Sequence, residues 1–366
     1  MKAIVNGKDI VRAISRINPF LNLNPSHYQA NVKICCNSTG IIITGLYNNY
    51  KIVSCAVCDC EQDGSLVVNF EKFEKVVKRH KKEKLTLYDD KNTFYINYGR
   101  GVVKLGKICV DEYQETKINL NSVHNIILPK YWDKIVKKVL SLVVENFRRY
   151  RLDFKKYWLT GIYFEIGPEG MCVTSTTGLV LTHIESVDVT LPKNIKFIVP
   201  KFTLKEVLEN KCDEMKVDDN HICFINSKDG TEIISPFIEG PYPNYHNFIP
   251  YNLPYYAVIN RESLISSIDS LLLFTYGKIT FSFDDILVME AKSTDNNTEV
   301  TEKLPIQFYG NPLCMAFNSD NIKDILNMID DDTVIWYMGS PDKPCIIKPK
   351  NTIFVDEIYS VVPLRL

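Results

Sequence analysis

Cysteine is the residue through which this sequence first offers chemistry. Cys55, Cys58 and Cys60, with Cys35 and Cys36 earlier in the chain, have the side chains and part of the spacing of a thiolate metal knot. A structural zinc site takes four well-placed ligands, and no second Cys-x-x-Cys or paired histidine follows at a suitable distance. Ile52 to Cys60 also reads as one strand carrying small apolar residues. Eleven cysteines make an odd count without a repeating spacing, so the expectation is reduced, buried thiols and no metal. Gly99, Gly101 and Gly106 resemble a stretched dinucleotide fingerprint, but their spacing is wrong and no helix follows to receive a pyrophosphate. There is no phosphate-binding loop, His-Glu-x-x-His pair or nucleophile elbow. The six histidines, among them His27, His124 and His246, are scattered, and Asp330, Asp331 and Asp332 fall in a helix-ending turn. No catalytic residue and no cofactor site is expected.

What must then be positioned is a set of charges and one stiff segment. Phe237 to Tyr245, continuing to Phe248, Ile249 and Pro250, brackets Tyr242 between Pro241 and Pro243. Proline restricts its own backbone and that of the preceding residue, so an extended connector is expected here. Such a connector is either a packed linker or one wall of a peptide groove.

The chain has 366 residues, 45% of them hydrophobic, which suggests two or three folded domains. No apolar run reaches spanning length and no basic-then-apolar leader is present, so a soluble, cytoplasmic protein is expected. Forty-three basic residues against forty-four acidic give a net charge of -1, which argues against a tight nucleic-acid binder.

A repeat organises the rest. Ala3–Val5, Ile126–Leu128 and Ala257–Ile259 each feed an amphipathic helix, with apolar faces through Ile10, Ala13, Ile14 and Ile17, through Trp132, Ile135, Val136, Val139 and Leu140, and through Leu264, Ile268, Leu271 and Leu272. A second strand–helix unit recurs in each third, from Leu66–Val68, Phe197–Val199 and Met315–Phe317. Asn69, Asn260, Asn318, Pro129 and Pro200 mark helix starts. Thr93–Tyr98 with Val102–Leu105, and Ile279–Phe283 with Ile286–Met289, read as hairpins. Three copies of one α+β domain are expected, at 1–120, 121–252 and 253–366, each with two helices packed on antiparallel sheets.

Basic residues fall on the helices away from the apolar stripes. They are Lys8, Arg12 and Arg16, then Lys75, Lys78, Arg79 and Lys82, then Lys130, Lys134, Lys137 and Lys138. Arg148, Arg149 and Arg151, with Lys155 and Lys156 and interleaved with Tyr150 and Tyr157, form the densest basic-aromatic cluster. The last third departs from this, with Glu262, Asp269, Asp320 and Asp324 beside only Arg261 and Lys323.

At Tyr157–Glu165, at Ile238-Glu239-Gly240 with Tyr242-Pro243-Asn244-Tyr245, at Ala316-Phe317-Asn318 and at Val362-Pro363-Leu364-Arg365-Leu366, the chain resembles the bacterial DNA polymerase III beta subunit, the sliding clamp family. The resemblance spans the full length. It implies a ring of two chains joined head to tail, first domain against third, around duplex DNA, with the basic helix faces as weak, sequence-independent phosphate contacts. It also implies a groove that takes short apolar-aromatic peptides from polymerases, the clamp loader and repair proteins. Carried over, that groove uses Leu159, Thr176, Gly178, Leu181, Pro243, Phe248, Ser360, Val362, Leu364 and Arg365. Where the family has Asp-Gly-His-Arg-Leu, this chain has Thr177-Gly178-Leu179-Val180-Leu181, which removes two polar side chains and a charge. The alternative implied by the altered groove and the acidic last third is a clamp-like peptide scaffold that no longer encircles DNA.

Overall fold

The structure is a computed structural model describing residues 1–21, 30–109, 113, 124–144, 154–273, 277–293 and 298–366. Its chain forms two compact units, Met1–Lys130 with Phe202–Phe237, and Tyr131–Lys201 with Ile238–Leu366. The middle third of the sequence therefore contributes strands to both.

The six strand–helix units read from the sequence are all present. Their helices are α1 (Gly7–Leu21), α2 (Phe70–Arg79), α3 (Trp132–Ser141), α4 (Lys201–Glu209), α5 (Arg261–Leu272) and α6 (Ser319–Met328). Three of them start on asparagine, whose side chain accepts the backbone N–H three residues on: Asn69 from Lys72, Asn260 from Ser263 and Asn318 from Asn321. Each bond satisfies one of the orphan donors of a first helical turn and contributes about 1 kcal/mol.

The first unit holds two antiparallel sheets. One runs, in order, Cys58–Gln62, Lys2–Asn6, Lys84–Asp89, Thr93–Asn97 and Val102–Gly106. The other has eight strands and joins Thr231–Pro236 to Tyr50–Ala56, so that strands from the first and middle thirds share one ladder. Ile10, Ile14 and Ile17 of α1 are fully buried. A Cβ at Gly45 would stand 2.5 Å from Ile17 Cγ2, so this strand position admits only glycine if α1 is to lie flat on the sheet.

The second unit repeats the arrangement. Its nine-stranded sheet pairs Val180–Ser186 with Asp356–Val361 across the middle and last thirds, and its four-stranded sheet ends on Glu299–Pro305. Trp336 centres its core, with the rings of Phe281, Phe283 and Phe317 at 5.2–5.4 Å. Both expected hairpins form, and Tyr98 N–H donates to Gly101 O at 3.1 Å across the turn of the first. Among the described residues no helix is long and apolar enough to cross a membrane.

The single strand expected over Ile52–Cys60 is instead two. Tyr50–Ala56 lies in the eight-stranded sheet and Cys58–Gln62 at the edge of the five-stranded one, with Val57 exposed between them. A continuous apolar alternation does not reveal a chain that changes sheets at one residue.

One carboxyl sits in an unfavourable place. Glu206 on α4 is buried, and burial raises its pKa to about 7, with Glu209 adding to the rise and Lys205 opposing it. The folded protein thus keeps this proton over a range in which the unfolded chain loses it. The resulting penalty is absent near pH 4, grows between about pH 4.5 and 7, and is complete above. Glu206→Gln is therefore expected to stabilise the protein by roughly 2 kcal/mol at pH 8 and by almost nothing at pH 4. Denaturant midpoints at the two pH values test this, and an equal gain at both would contradict it.

Candidate peptide-binding groove

The connector has the extended form its prolines dictate. No helix or strand interrupts residues 237–244, and a single 3-10 turn, Tyr245–Phe248, closes the segment. Ile238 N–H donates to Ile198 O at 2.9 Å and fixes its start within the second unit. Gly240 then turns at φ 129°, where a side chain would be strained and its Cβ would press on the Trp158 ring at 3.2 Å.

Aromatic contacts hold the segment on the nine-stranded sheet. Tyr242 stacks on Tyr163 with ring centroids 4.6 Å apart and planes 3° from parallel, and its hydroxyl donates to Thr174 O at 3.4 Å. Tyr245 meets Tyr163 edge-on at 6.0 Å and donates its hydroxyl to Glu165. Burial pushes the Glu165 carboxyl upward, but Lys196 at 2.5 Å and the Tyr245 hydroxyl hold it below the usual range, so it stays an anion and an acceptor. The Tyr245 phenol is pushed far up, by burial first and this bond second, and remains a donor.

Between connector and sheet lies a cavity of about 450 Å³, within the range of small-molecule and peptide pockets. It is lined by Trp158, Leu159, Thr176, Gly178, Leu181, Pro241, Tyr242, Pro243, Tyr245 and Phe248. The tip of the hairpin supplies its polar rim. Thr176 Oγ1 donates to Val180 O at 2.7 Å and accepts Gly178 N–H at 3.0 Å, and Gly178 takes φ 88°. Leu179 is exposed at this tip while Val180 is buried in the core. Of the two, only Leu179 adds exposed apolar surface at the tip.

Six of the ten residues carried over for the groove line the cavity: Leu159, Thr176, Gly178, Leu181, Pro243 and Phe248. The other four do not line it; Ser360 and Val362 bond to Phe248 and to the rim, whereas Leu364 and Arg365 are tied elsewhere. Ser360 Oγ donates to Phe248 O, Val362 N–H to Leu179 O at 3.0 Å and Leu364 N–H to Ala316 O at 2.7 Å, while Arg365 O accepts Lys278 Nζ at 2.8 Å. The chain end is tethered, as its apolar composition implies. The carried-over set omitted Trp158, Pro241, Tyr242 and Tyr245. Three belong to the aromatic-proline connector itself, and Trp158 to the motif beginning at Tyr157, so their signal is visible in the sequence.

The basic residues separate on inspection. Lys8 and Arg12 of α1 are exposed, but Arg16 turns back, with Asp229 at 2.6 Å and Thr231 Oγ1 at 3.0 Å. On α2, Lys75 and Lys78 are exposed and pair with Glu71 and Glu74 one turn earlier, while Arg79 and Lys82 are exposed beyond them. Lys130, Lys134 and Lys137 are exposed, Lys134 reaching Asp330 at 3.5 Å. Lys138 does not share that face. It is 4% exposed, donates to Glu357 at 2.9 Å and to Met328 O, and is a core ion-pair residue rather than a DNA-facing one. Arg148, Arg149, Arg151 and Tyr150, with the side chains of Lys155 and Lys156, lie outside the described residues, as does His27.

The thiols also sort themselves. Cys36 Sγ is 2.8 Å from Cys60 Sγ and 3.9 Å from Cys58 Sγ, whereas Cys55 faces Gly230 O at 3.8 Å. Asp331 accepts Thr333 N–H at 2.8 Å and Asn351 N–H at 2.6 Å, a turn-forming use of a carboxylate.

Repeated strand–helix units and a peptide-sized apolar groove are features the chain has in common with proteins of the clamp fold. The beta sliding clamp of Rickettsia felis is 25% identical over 399 aligned positions, covering all of both chains. The DNA polymerase III beta subunit of Pseudomonas aeruginosa superposes with a TM-score of 0.87 at 16% identity, again over both chains entirely. The Helicobacter pylori beta clamp, solved with a DNA ligase peptide, gives 0.85 at 16% identity with full coverage. No family model matches the chain. Over its whole length the chain is similar in sequence to beta sliding clamps, and its fold is theirs.

Proposed function

We propose that the protein is a DNA sliding clamp, a processivity factor without catalysis of its own, which encircles duplex DNA and tethers a polymerase, a clamp loader and repair proteins through the groove at Pro243 and Phe248. The observation that carries this reading is the full-length similarity to beta sliding clamps together with an apolar cavity at the position the resemblance assigns to peptide binding. In this reading the three repeats, 1–120, 121–252 and 253–366, are the clamp domains, and two chains close head to tail. Each unit offers an edge strand for such closure: Val102–Gly106 ends the five-stranded sheet of one, and Glu299–Pro305 ends the four-stranded sheet of the other. An unpaired edge is a template for a further strand.

The DNA-facing set in this reading is Lys8, Arg12, Lys75, Lys78, Arg79, Lys82, Lys130, Lys134 and Lys137. A ring holds DNA by topology, so modest charge on a protein of net charge -1 suits sliding better than tight phosphate binding would. The expected results are a dimeric native mass and retention, after loading, on closed circular DNA that is lost on linearisation. A stable monomer that never loads would overturn the ring and leave the peptide scaffold.

A further inference from the structure

Beyond the groove, three side chains of different chemistry converge on the nine-stranded sheet. A ligand atom from each of Cys172, His183 and Glu185 lies within 4.8 Å of the other two. Register produces this. Cys172 is paired directly with Glu185 and Thr174 with His183 across two antiparallel strands, and alternation puts all four side chains on one face.

The histidine is held in place from behind. Thr174 Oγ1 is 2.8 Å from His183 Nδ1, and His183 Nε2 is 3.0 Å from Glu185 Oε1. In the Nε2–H tautomer the threonine hydroxyl donates to Nδ1 and Nε2–H donates to the carboxylate. The threonine can equally accept from Nδ1–H, which frees the Nε2 lone pair toward Glu185 and Cys172. A ring partner on the far nitrogen is the usual support of a metal-ligating histidine. Cys172 is a free thiol, and a cavity of about 180 Å³ opens on it and on Glu185 beside Val355.

We propose that Cys172, His183 and Glu185 form a binding site for a borderline-soft divalent cation of the zinc class, with the fourth position open to this cavity. One sulfur, one imidazole nitrogen and one carboxylate oxygen are a zinc-type donor set, and three protein ligands leave the fourth tetrahedral position to water or to an incoming group. Binding releases the Cys172 thiol proton and leaves the imidazole proton on Nδ1, from which Thr174 Oγ1 accepts a hydrogen bond. The site adjoins the groove, because the His183 ring lies 5.2 Å from the ring of Tyr245, which lines it.

The test is titration of the reduced, full-length protein with Co²⁺ alone, followed by visible absorption. One equivalent is expected to give tetrahedral cobalt bands with a thiolate-to-cobalt charge-transfer band, displaced by Zn²⁺. Cys172→Ser should abolish the charge-transfer band, and Thr174→Val, which keeps shape but removes the Nδ1 partner, should weaken binding by about 10–100-fold. Cys60→Ser should change nothing, which separates this site from the thiols around Cys36. A spectrum that survives Cys172→Ser, one that vanishes in Cys60→Ser, or no tetrahedral band at all would overturn the assignment.

Discussion

Lys138→Met is expected to destabilise the protein by about 3–5 kcal/mol. Lys138 and Glu357 are 4% and 3% exposed, and their charged atoms are 2.9 Å apart. Thr352 Oγ1 and Tyr359 OH also donate to the Glu357 carboxylate, at 3.0 and 2.6 Å, so it has three donors, of which Lys138 alone is charged. Removing the ammonium leaves a buried anion without its counter-charge. The Tyr359 phenol is raised well above its usual range, by burial first and Glu357 next, and so cannot respond by ionising. The loss in Lys138→Met comes from the charge left on Glu357 without its partner. Adding Glu357→Gln should recover a large part of it. Equilibrium denaturation of the two variants measures both effects. A cost under about 1 kcal/mol would mean the pair is solvated and Lys138 belongs with the surface charges after all.

That residue also marks where sequence reading stops. Lys134 and Lys138 are one turn apart on α3, and helical spacing assigns them the same face. The difference between them lies in Glu357, which is far along the chain on a strand that reaches α3 only in the folded unit. Arg16 is a similar case, since Asp229 claims it from the far side of the sequence. The six helices were legible because their apolar spacing and the Asn69, Asn260 and Asn318 caps are local properties, stated within a few residues of one another. The split at Val57 was not, because the same alternation serves either sheet and only the partner strands decide. For the groove, the connector's prolines fixed its extended form locally. Its place against Tyr163 and Trp158 depends on residues that precede it by some way; the family resemblance supplied the groove through Leu159, Thr176 and Leu181, but neither of these two rings.

The groove itself gives the second large effect. Phe248→Ala should weaken the binding of a fluorescent peptide carrying leucine and phenylalanine by roughly 10–100-fold, equivalent to about 1.4–2.7 kcal/mol, without unfolding the protein. Phe248 lines the cavity yet keeps 42% of its surface exposed, so truncation removes a contact wall rather than core volume. Its carbonyl is still held by Ser360 Oγ, and the 3-10 turn around it should survive. Leu181 lines the same cavity but is 3% exposed, and Leu181→Ala would mix lost binding with a cavity cost in the fold. Pro243→Ala tests the other wall by a different route: the contact surface changes little, but the connector loses a backbone constraint, so the expected loss is smaller and falls mainly on pre-organisation. Tyr251→Ala is the control. Tyr251 is exposed and lines the neighbouring cavity of about 320 Å³ with Leu253 and Tyr337, but not this one. Affinity that falls in Tyr251→Ala and holds in Phe248→Ala would move the peptide site along the connector to that second cavity. Affinity unchanged in all three variants would remove the connector from peptide recognition altogether.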